Sequence, residues 1–252
     1  METLFIGRNL IFLPQVNSTN SYAIEMLKNV NLAEGTVVHT ADQTNGRGQR
    51  GSVWKTEKTS NLTASLVIKP TFLELKNQYY LYQISALACY DALAELLDSS
   101  QFDIKIKWPN DILVNNNKIA GILIENNVIN TQLSWSVIGV GLNVNQTVFD
   151  EGFNATSLKV LMDKDFDVNN MLQLVCKHFE KYYLQLKNNK LSLIKEAYLK
   201  HFFRLNKWME FEIEGTLTTM FVQGVSEEGL LWLKSKNDHS VYLDVKQVKW
   251  VH

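Results

Sequence analysis

An α+β fold is expected for this chain, with a large mixed sheet flanked by helices and followed by a small antiparallel β-barrel. Residues 77–97 carry Leu81, Ile84 and Ala88 at the spacing of an amphipathic helix. Residues 104–108 alternate between apolar and polar side chains, as a half-buried strand does. After residue 205, short alternating runs are separated by glycines, which is typical of small antiparallel domains.

The other elements follow from the same two periodicities. Helices are predicted where apolar residues recur every three to four positions, and strands where short apolar runs lie between polar turns. The predicted helices are 18–30, 77–97, 168–187 and 191–203. The predicted strands are 36–40, 62–68, 104–108, a hairpin over 111–126 that turns at 115–117, and 133–144. We place the domain boundary near residue 206, which gives domains 1–205 and 206–252.

Composition and charge argue against several classes of protein. The formal net charge is −1, so general attraction to nucleic acid or to an anionic membrane is not expected. No apolar stretch has the length of a membrane span, and the N-terminus is a poor signal peptide, so a cytoplasmic location is expected. Cys89 and Cys176 lie in apolar helical patterns and are expected to be reduced core residues. No His/Cys cluster has metal-ligand spacing.

Residues 46–51 form a glycine-rich basic segment with the spacing G-x-G-x-x-G. A dinucleotide-binding fold would need a helix at the last glycine, whereas residues 52–60 have a poor apolar stripe and lead into a strand. An anion-binding loop is the better interpretation, because glycine N–H groups and the charges of Arg47 and Arg50 can approach a phosphate. A plain surface turn is the alternative.

Four further segments place polar residues at helix or strand ends, or glycines at or inside strands. They are residues 18–20, 107–111, 118–121 and 139–143. Each also has an ordinary structural explanation: a helix cap, a strand-to-turn connection, a solvated lysine at a hairpin end, or a bulge. The functional interpretation is that Asp111 and Lys118 present charge at strand ends, while Gly121 lets a ligand approach the backbone.

Taken together and in this order, these segments resemble the biotin protein ligase family. The matching residues are 18–20, Gln43, 46–48, 107–111, 118–125 and 139–143. The resemblance implies a class II synthetase-like catalytic domain and a small SH3-like barrel at the C-terminus. It also implies an ATP-dependent reaction in two steps. Biotin and Mg-ATP give biotinyl-5′-AMP and pyrophosphate, and a lysine of a biotin carboxyl carrier protein then takes the biotin and releases AMP.

The resemblance also suggests roles for individual residues. Catalysis is assigned to Lys118, Arg47, Arg50 and Asp111. Contacts to biotin or biotinyl-AMP are assigned to Ser18, Thr19, Asn20, Gln43, Arg47, Gly48, Gln49, Lys118 and Gly121, and contacts to the nucleotide to Trp54, Asn110 and Asn143. Mg²⁺ is expected to arrive with ATP rather than at a protein metal site. Family members often carry Arg at the position of Gln49, and this departure bears on how well the adenylate is retained.

Other functions fit these residues less well. A lipoate-protein ligase or octanoyltransferase has a similar fold and a catalytic lysine, but residues 46–51 and 107–111 fit the biotin family better. A non-catalytic binding module would lack Lys118 or the basic loop, and a Ser/His/Asp hydrolase would need a nucleophile elbow. Too few residues precede Ser18 for a helix-turn-helix, so no DNA-binding role is expected. An exposed strand edge is open either to a homodimer or to the carrier domain.

Overall fold

A computed structural model describes residues 2–251 of the chain, and of Arg50 it describes the backbone only. The helices are α1 (Thr19–Val30), α2 (Tyr79–Ala94), α3 (Leu158–Met162), α4 (Val168–Lys187) and α5 (Leu191–Lys200). The strands are β1 (Leu10–Leu13), β2 (Val37–Thr40), β3 (Leu62–Ile68), β4 (Ile104–Lys107), β5 (Asp111–Val114), β6 (Asn117–Ile129), β7 (Gln132–Leu142), β8 (Trp208–Ile213), β9 (Thr216–Val225), β10 (Leu231–Lys234), β11 (Ser240–Leu243) and β12 (Val248–Trp250). Every helix and strand predicted from periodicity in the large domain is present, with ends shifted by a few residues.

The first seven strands form one mixed sheet in the order β1-β2-β3-β7-β6-β5-β4. β1 and β2 run parallel, and every other neighbouring pair is antiparallel. The predicted hairpin joins β5 to β6, and Asn115 and Asn116 have the positive φ that a two-residue hairpin turn requires. The mixed sheet expected from the sequence is confirmed.

The sheet separates two apolar cores. On β2, Val37 packs into the larger core with α2, α4 and α5, whereas its neighbour Val38 packs into the smaller core beneath α1. Successive side chains of a strand point to opposite faces, so α1 covers one face of the sheet and α2 covers the other. The start of α1 is thereby placed over β3 and β7.

The C-terminal strands form an antiparallel sheet in the order β11-β10-β9-β8-β12. The five strands expected in this region are confirmed. Within residues 2–251, no pairing between the edge strands β11 and β12 is seen, so the structure confirms an antiparallel sheet here and its closure into a barrel stays a prediction. The division into domains at residue 205 stays a prediction.

Two short elements were not predicted. β1 is a four-residue edge strand of alternating exposure, and α3 spans five residues between Ser157 and Asp163. Neither is long enough to show a periodicity. β1 is held by its pairing with β2, and α3 by the Ser157 hydroxyl, which accepts from the Val160 N–H at 3.1 Å.

The two cysteines are free and buried, as predicted. Burial raises the pKa of the Cys89 and Cys176 thiols to about 12, so neither is a ready thiolate. In residues 2–251, no helix combines the length and apolar character needed to cross a membrane.

Candidate active site

A cavity of ≈ 290 Å³ lies over the α1 face of the large sheet. Its walls come from the start of α1, the glycine-rich loop, β3, β6, β7, the turn before β5, and Val245 between β11 and β12. Polar residues from helix and strand ends, together with several glycines, lie close together here because several loops meet at the same side of the sheet.

The start of α1 forms one wall. Ser18 caps the helix and accepts from the Ser21 N–H, so the structural interpretation of this residue is correct. Thr19 donates its backbone N–H to Oε1 of Gln43 at 3.0 Å. The hydroxyl of Ser65, on β3, lies 2.5 Å from Oδ1 of Asn20. These contacts fix the helix start against the sheet, leaving hydroxyl and amide groups at the cavity wall.

Glycines form the floor. Gly121 on β6 and Gly141 on β7 stand directly opposite each other, and the Trp54 indole lies on both. A Cβ at Gly141 would overlap the Trp54 ring, and one at Gly139 would come within 2.5 Å of Oδ1 of Asn20. Trp54 Nε1 is buried and has no hydrogen-bond partner among the residues that the structure describes. The floor therefore accepts a flat aromatic group directly against the backbone.

A lysine and an aspartate mark the other end of the cavity. Nζ of Lys118 lies 2.6 Å from Oδ1 of Asp111, with the two side chains 35% and 23% exposed. The Lys118 ammonium is also 5.6 Å from the centroid of the Trp54 ring. Burial lowers the pKa of the nearby Lys107, and the charge of Lys118 lowers it further against the opposing effect of Asp111. Lys107, at the end of β4, and Lys118, on β6, thus place two positive charges near the Asp111 carboxylate.

The glycine-rich loop covers the cavity. Residues Gln49–Gly51 form a single 3₁₀ turn, closed by the Gly48 N–H donating to the Ser52 carbonyl at 2.7 Å. Arg47 extends from this loop, and its Nη2 lies 2.6 Å from Oε2 of Glu125. The chain continues extended into β3 rather than into a helix, so the dinucleotide-binding interpretation is excluded.

The biotin/lipoate A/B protein ligase family model matches residues 12–143, more than half of the chain. The chain belongs to this family. It is 29% identical over 240 residues to the bifunctional ligase/repressor BirA of Bacillus subtilis, covering 93% of this chain and 72% of that protein. It is also 27% identical over 227 residues to the biotin–[acetyl-CoA-carboxylase] ligase of Paracoccus denitrificans, covering 88% and 92% of the two chains.

Solved structures of biotin protein ligases share the fold. The biotin protein ligase from Aquifex aeolicus in complex with biotin and ATP superposes with a TM-score of 0.79 at 26% identity, over 97% of this chain and 99% of that one. The Leishmania major biotin protein ligase in complex with biotinyl-5-AMP has a TM-score of 0.65 at 23% identity. The similarity includes both sheets, because nearly the whole chain is covered in each case.

Most of the residues that the family resemblance singled out line the cavity. They are Ser18, Thr19, Asn20, Gln43, Arg47, Gly48, Gln49, Trp54, Asn110, Asp111, Lys118 and Gly121. Asn143 is not among the lining residues; it is buried, and its amide donates to the Thr156 carbonyl at 3.0 Å. Its contact with a nucleotide stays a prediction. The side chain of Arg50 lies outside the described part of the chain, so its assignment also stays a prediction.

Sequence reasoning missed several residues at the site. Phe153 and Val245 line the cavity from distant parts of the chain, and no local pattern points to either. Glu125 touches both Asn20 and Arg47. Glu125 ends the matched segment 118–125 but was assigned no role, although strand alternation places it on the same face of β6 as Gly121 and Leu123.

Proposed function

We propose that this protein is a biotin protein ligase, which activates biotin with Mg-ATP and transfers it to a lysine of a biotin carboxyl carrier domain. One observation carries the proposal. The chain belongs to this family and has one cavity that combines three features. Hydroxyl and amide groups form one wall, Lys118 provides a positive charge at the other end, and glycines form the floor between them. A neutral bicyclic head group fits the first part, and a carboxylate with a phosphate fits the second.

In the first step, a biotin carboxylate oxygen attacks the α-phosphorus of ATP, and the bond to pyrophosphate breaks. Two anions must approach each other, so charge neutralisation and positioning supply most of the rate enhancement. Lys118 lies near the start of β6 and lines the cavity. We assign it the neutralisation of the developing charge, with Arg47 acting from the loop.

In the second step, the neutral amine of the acceptor lysine attacks the carbonyl carbon of biotinyl-5′-AMP. A C–N bond forms, the bond from carbon to the phosphate oxygen breaks, and AMP leaves with that electron pair. The amine proton passes to solvent. The loop that carries Arg47 must shield the adenylate from water until the acceptor arrives.

Magnesium enters with the nucleotide. Among the described lining residues Asp111 is the one carboxylate, and it is already paired with Lys118. No group of three or more His, Cys, Asp or Glu side chains in residues 2–251 is arranged to hold a metal ion. The side chains that line the cavity therefore suit a cation held mainly by the phosphate oxygens of ATP. Asp111 could add one oxygen ligand.

The partner is proposed to be the carrier domain of a biotin-dependent carboxylase, in the cytoplasm.

The edge strand β1 leaves Leu10 and Phe12 exposed, whereas the edge at β4 is bonded by residues 201–203. A homodimer would use the β1 edge. Sedimentation at several protein concentrations tests this, and a monomer at all of them would exclude it. With a net charge of −1, no DNA contact is proposed.

The test of the main proposal is biotin-dependent exchange of labelled pyrophosphate into ATP. We expect exchange with biotin and none with lipoate, and we expect Lys118→Ala to reduce it by on the order of a hundred- to a thousandfold. Lys105→Ala is the matched control, because Lys105 is 34% exposed and paired with Asp103 at 2.9 Å, outside the cavity. Exchange with lipoate would move the protein to the lipoate ligases, and no exchange with either acid would leave a binding module.

A further inference from the structure

One carboxylate oxygen connects two walls of the cavity. Oε2 of Glu125 accepts from Nδ2 of Asn20 at 2.9 Å and lies 2.6 Å from Nη2 of Arg47. Asn20 belongs to the start of α1, and Arg47 belongs to the glycine-rich loop. Glu125 itself is on β6, in the rigid sheet. The helix start and the loop therefore share one anchor.

The contact to Asn20 fixes the orientation of a buried amide. Asn20 is 3% exposed and lies against Gly139, where no Cβ fits. Its Nδ2 faces the acceptors of β6, and its Oδ1 faces the Ser65 hydroxyl on β3. A buried amide with both ends bonded cannot turn over, so the donor and acceptor that it presents are set by these neighbours.

The contact to Arg47 has a different character. The two side chains are 41% and 29% exposed, so the ion pair is screened and adds little to global stability. The loop around it is glycine-rich and has few buried apolar contacts. A weak interaction can bias the position of such a loop, because the described backbone hydrogen bonds of residues 46–54 lie within the loop itself.

We propose that Glu125 is a positioning residue that couples the helix-start wall of the cavity to the glycine-rich loop. The carboxylate aligns Asn20 for the biotin head group and holds Arg47 over the cavity at the same time. A change in the position of the α1 start therefore affects the glycine-rich loop, and the reverse, although Glu125 itself is not among the residues that line the cavity. The identity of the ligand rests on the proposed function, whereas the coupling of the two walls does not.

The test uses Glu125→Gln in the full-length protein. The amide oxygen of the new side chain still accepts from Asn20, but the charge opposite Arg47 is gone. Without ligand, we expect trypsin to cleave the loop at Arg47 and Lys55 about three- to tenfold faster than in the wild type. We expect the KM for biotin to rise by a similar factor and the KM for Mg-ATP to stay within about twofold. Glu125→Asp, which keeps the charge, should lie between the two.

Glu212→Gln is the control, because it removes a surface carboxylate paired with Lys249 at 2.9 Å. Loop cleavage and biotin KM equal to the wild type in Glu125→Gln would overturn the proposal. So would equal increases in both KM values with a fall in Tm of more than about 5 °C, which would indicate a general structural role. A wild type without biotin-dependent exchange would defeat the proposed function alone, because the cleavage assay needs no ligand.

Discussion

Lys118 and Asp111 face each other on the β5–β6 hairpin, with 2.6 Å between Nζ and Oδ1. The partner of the principal cation at the site is therefore a side chain that also lines the cavity. A bound carboxylate or phosphate must share Lys118 with Asp111, and Asp111 in turn holds the ammonium in place. The two residues lie on adjacent, hydrogen-bonded strands, so this pair is more rigid than a contact between loops.

The first prediction concerns this pair. Asp111→Asn keeps an oxygen that can face Lys118 but loses the charge, so we expect a fall in adenylation kcat of about tenfold. Lys118→Ala should be more severe, and the double variant no worse than Lys118→Ala, because the two residues act as a unit. Single-turnover formation of biotinyl-5′-AMP measures all three. Multiplicative losses in the double variant would show that the residues act separately.

The second prediction separates the two floor glycines. A methyl group at Gly141 overlaps the Trp54 ring, whereas one at Gly121 approaches Cζ3 of that ring to 3.1 Å. We expect Gly141→Ala to displace the indole and raise the KM for Mg-ATP by about tenfold or more, and Gly121→Ala to have a smaller effect. Tryptophan fluorescence reports the displacement. In a Trp54→Ala background the two glycine variants should differ little; a persisting difference would place the clash elsewhere.

The third prediction concerns Gln49, which lines the cavity where family members often carry arginine. Gln49→Arg adds a cation beside the proposed phosphate site, so we expect biotinyl-5′-AMP to dissociate about tenfold more slowly. Gln49→Met, of similar length and without charge, is the control. The dissociation rate of biotinyl-5′-AMP is measured in each variant by trapping the released adenylate. An unchanged rate in Gln49→Arg would mean that another group holds the phosphate.

The fourth prediction links the C-terminal sheet to the nucleotide side. The Trp250 indole donates to the Trp108 carbonyl at 3.2 Å, and the Trp108 indole donates to the Gly229 carbonyl at 2.9 Å. Because Asn110 and Asp111 follow Trp108 directly, Trp250→Phe should raise the KM for Mg-ATP a few-fold and leave biotin binding unchanged.

Trp232→Phe provides the control for that variant. It removes an indole donor to the Ser240 hydroxyl in the same sheet, away from the cavity. Steady-state kinetics with each substrate varied in turn distinguish the two variants. Equal effects on both substrates in Trp250→Phe would show a general loss of structure instead.

The fifth prediction is a pH dependence of stability. Burial lowers the pKa of His39 and of His201 below the ordinary 6.5, and Lys200 and Lys105 lower that of His201 further. Below pH 6.5 the unfolded chain therefore binds more protons than the folded chain, so the free energy of unfolding falls as the pH falls. We expect Tm to drop by a few degrees between pH 7.5 and pH 5.5.

Thermal melts of the double variant His39→Gln, His201→Gln provide the comparison. The glutamines do not titrate, so the double variant should lose less Tm over the same pH interval. An identical loss would assign the effect to other groups.

Local patterns predicted the elements, and the family resemblance singled out many of the residues that line the cavity. The helical stripe of residues 77–97 and the polar hairpin turn at Asn115 and Asn116 depend on near neighbours in sequence, so the elements could be located without a structure. β1 was missed because four residues carry too little periodicity. The number of C-terminal strands was predicted correctly, whereas closure of that sheet stays a prediction, since strand pairing is not a local property.

The motifs and their order along the chain already pointed to the ligase family, because Lys118, Asp111 and the glycines occupy short contiguous segments. The connections between these segments became visible only in the folded chain. Glu125 meets Arg47 across 78 positions of sequence and Asn20 across 105, and Val245 reaches the cavity from the C-terminal sheet. Such contacts depend on the order of strands in the sheet, which brings distant residues together by burial of the whole core rather than by any local preference.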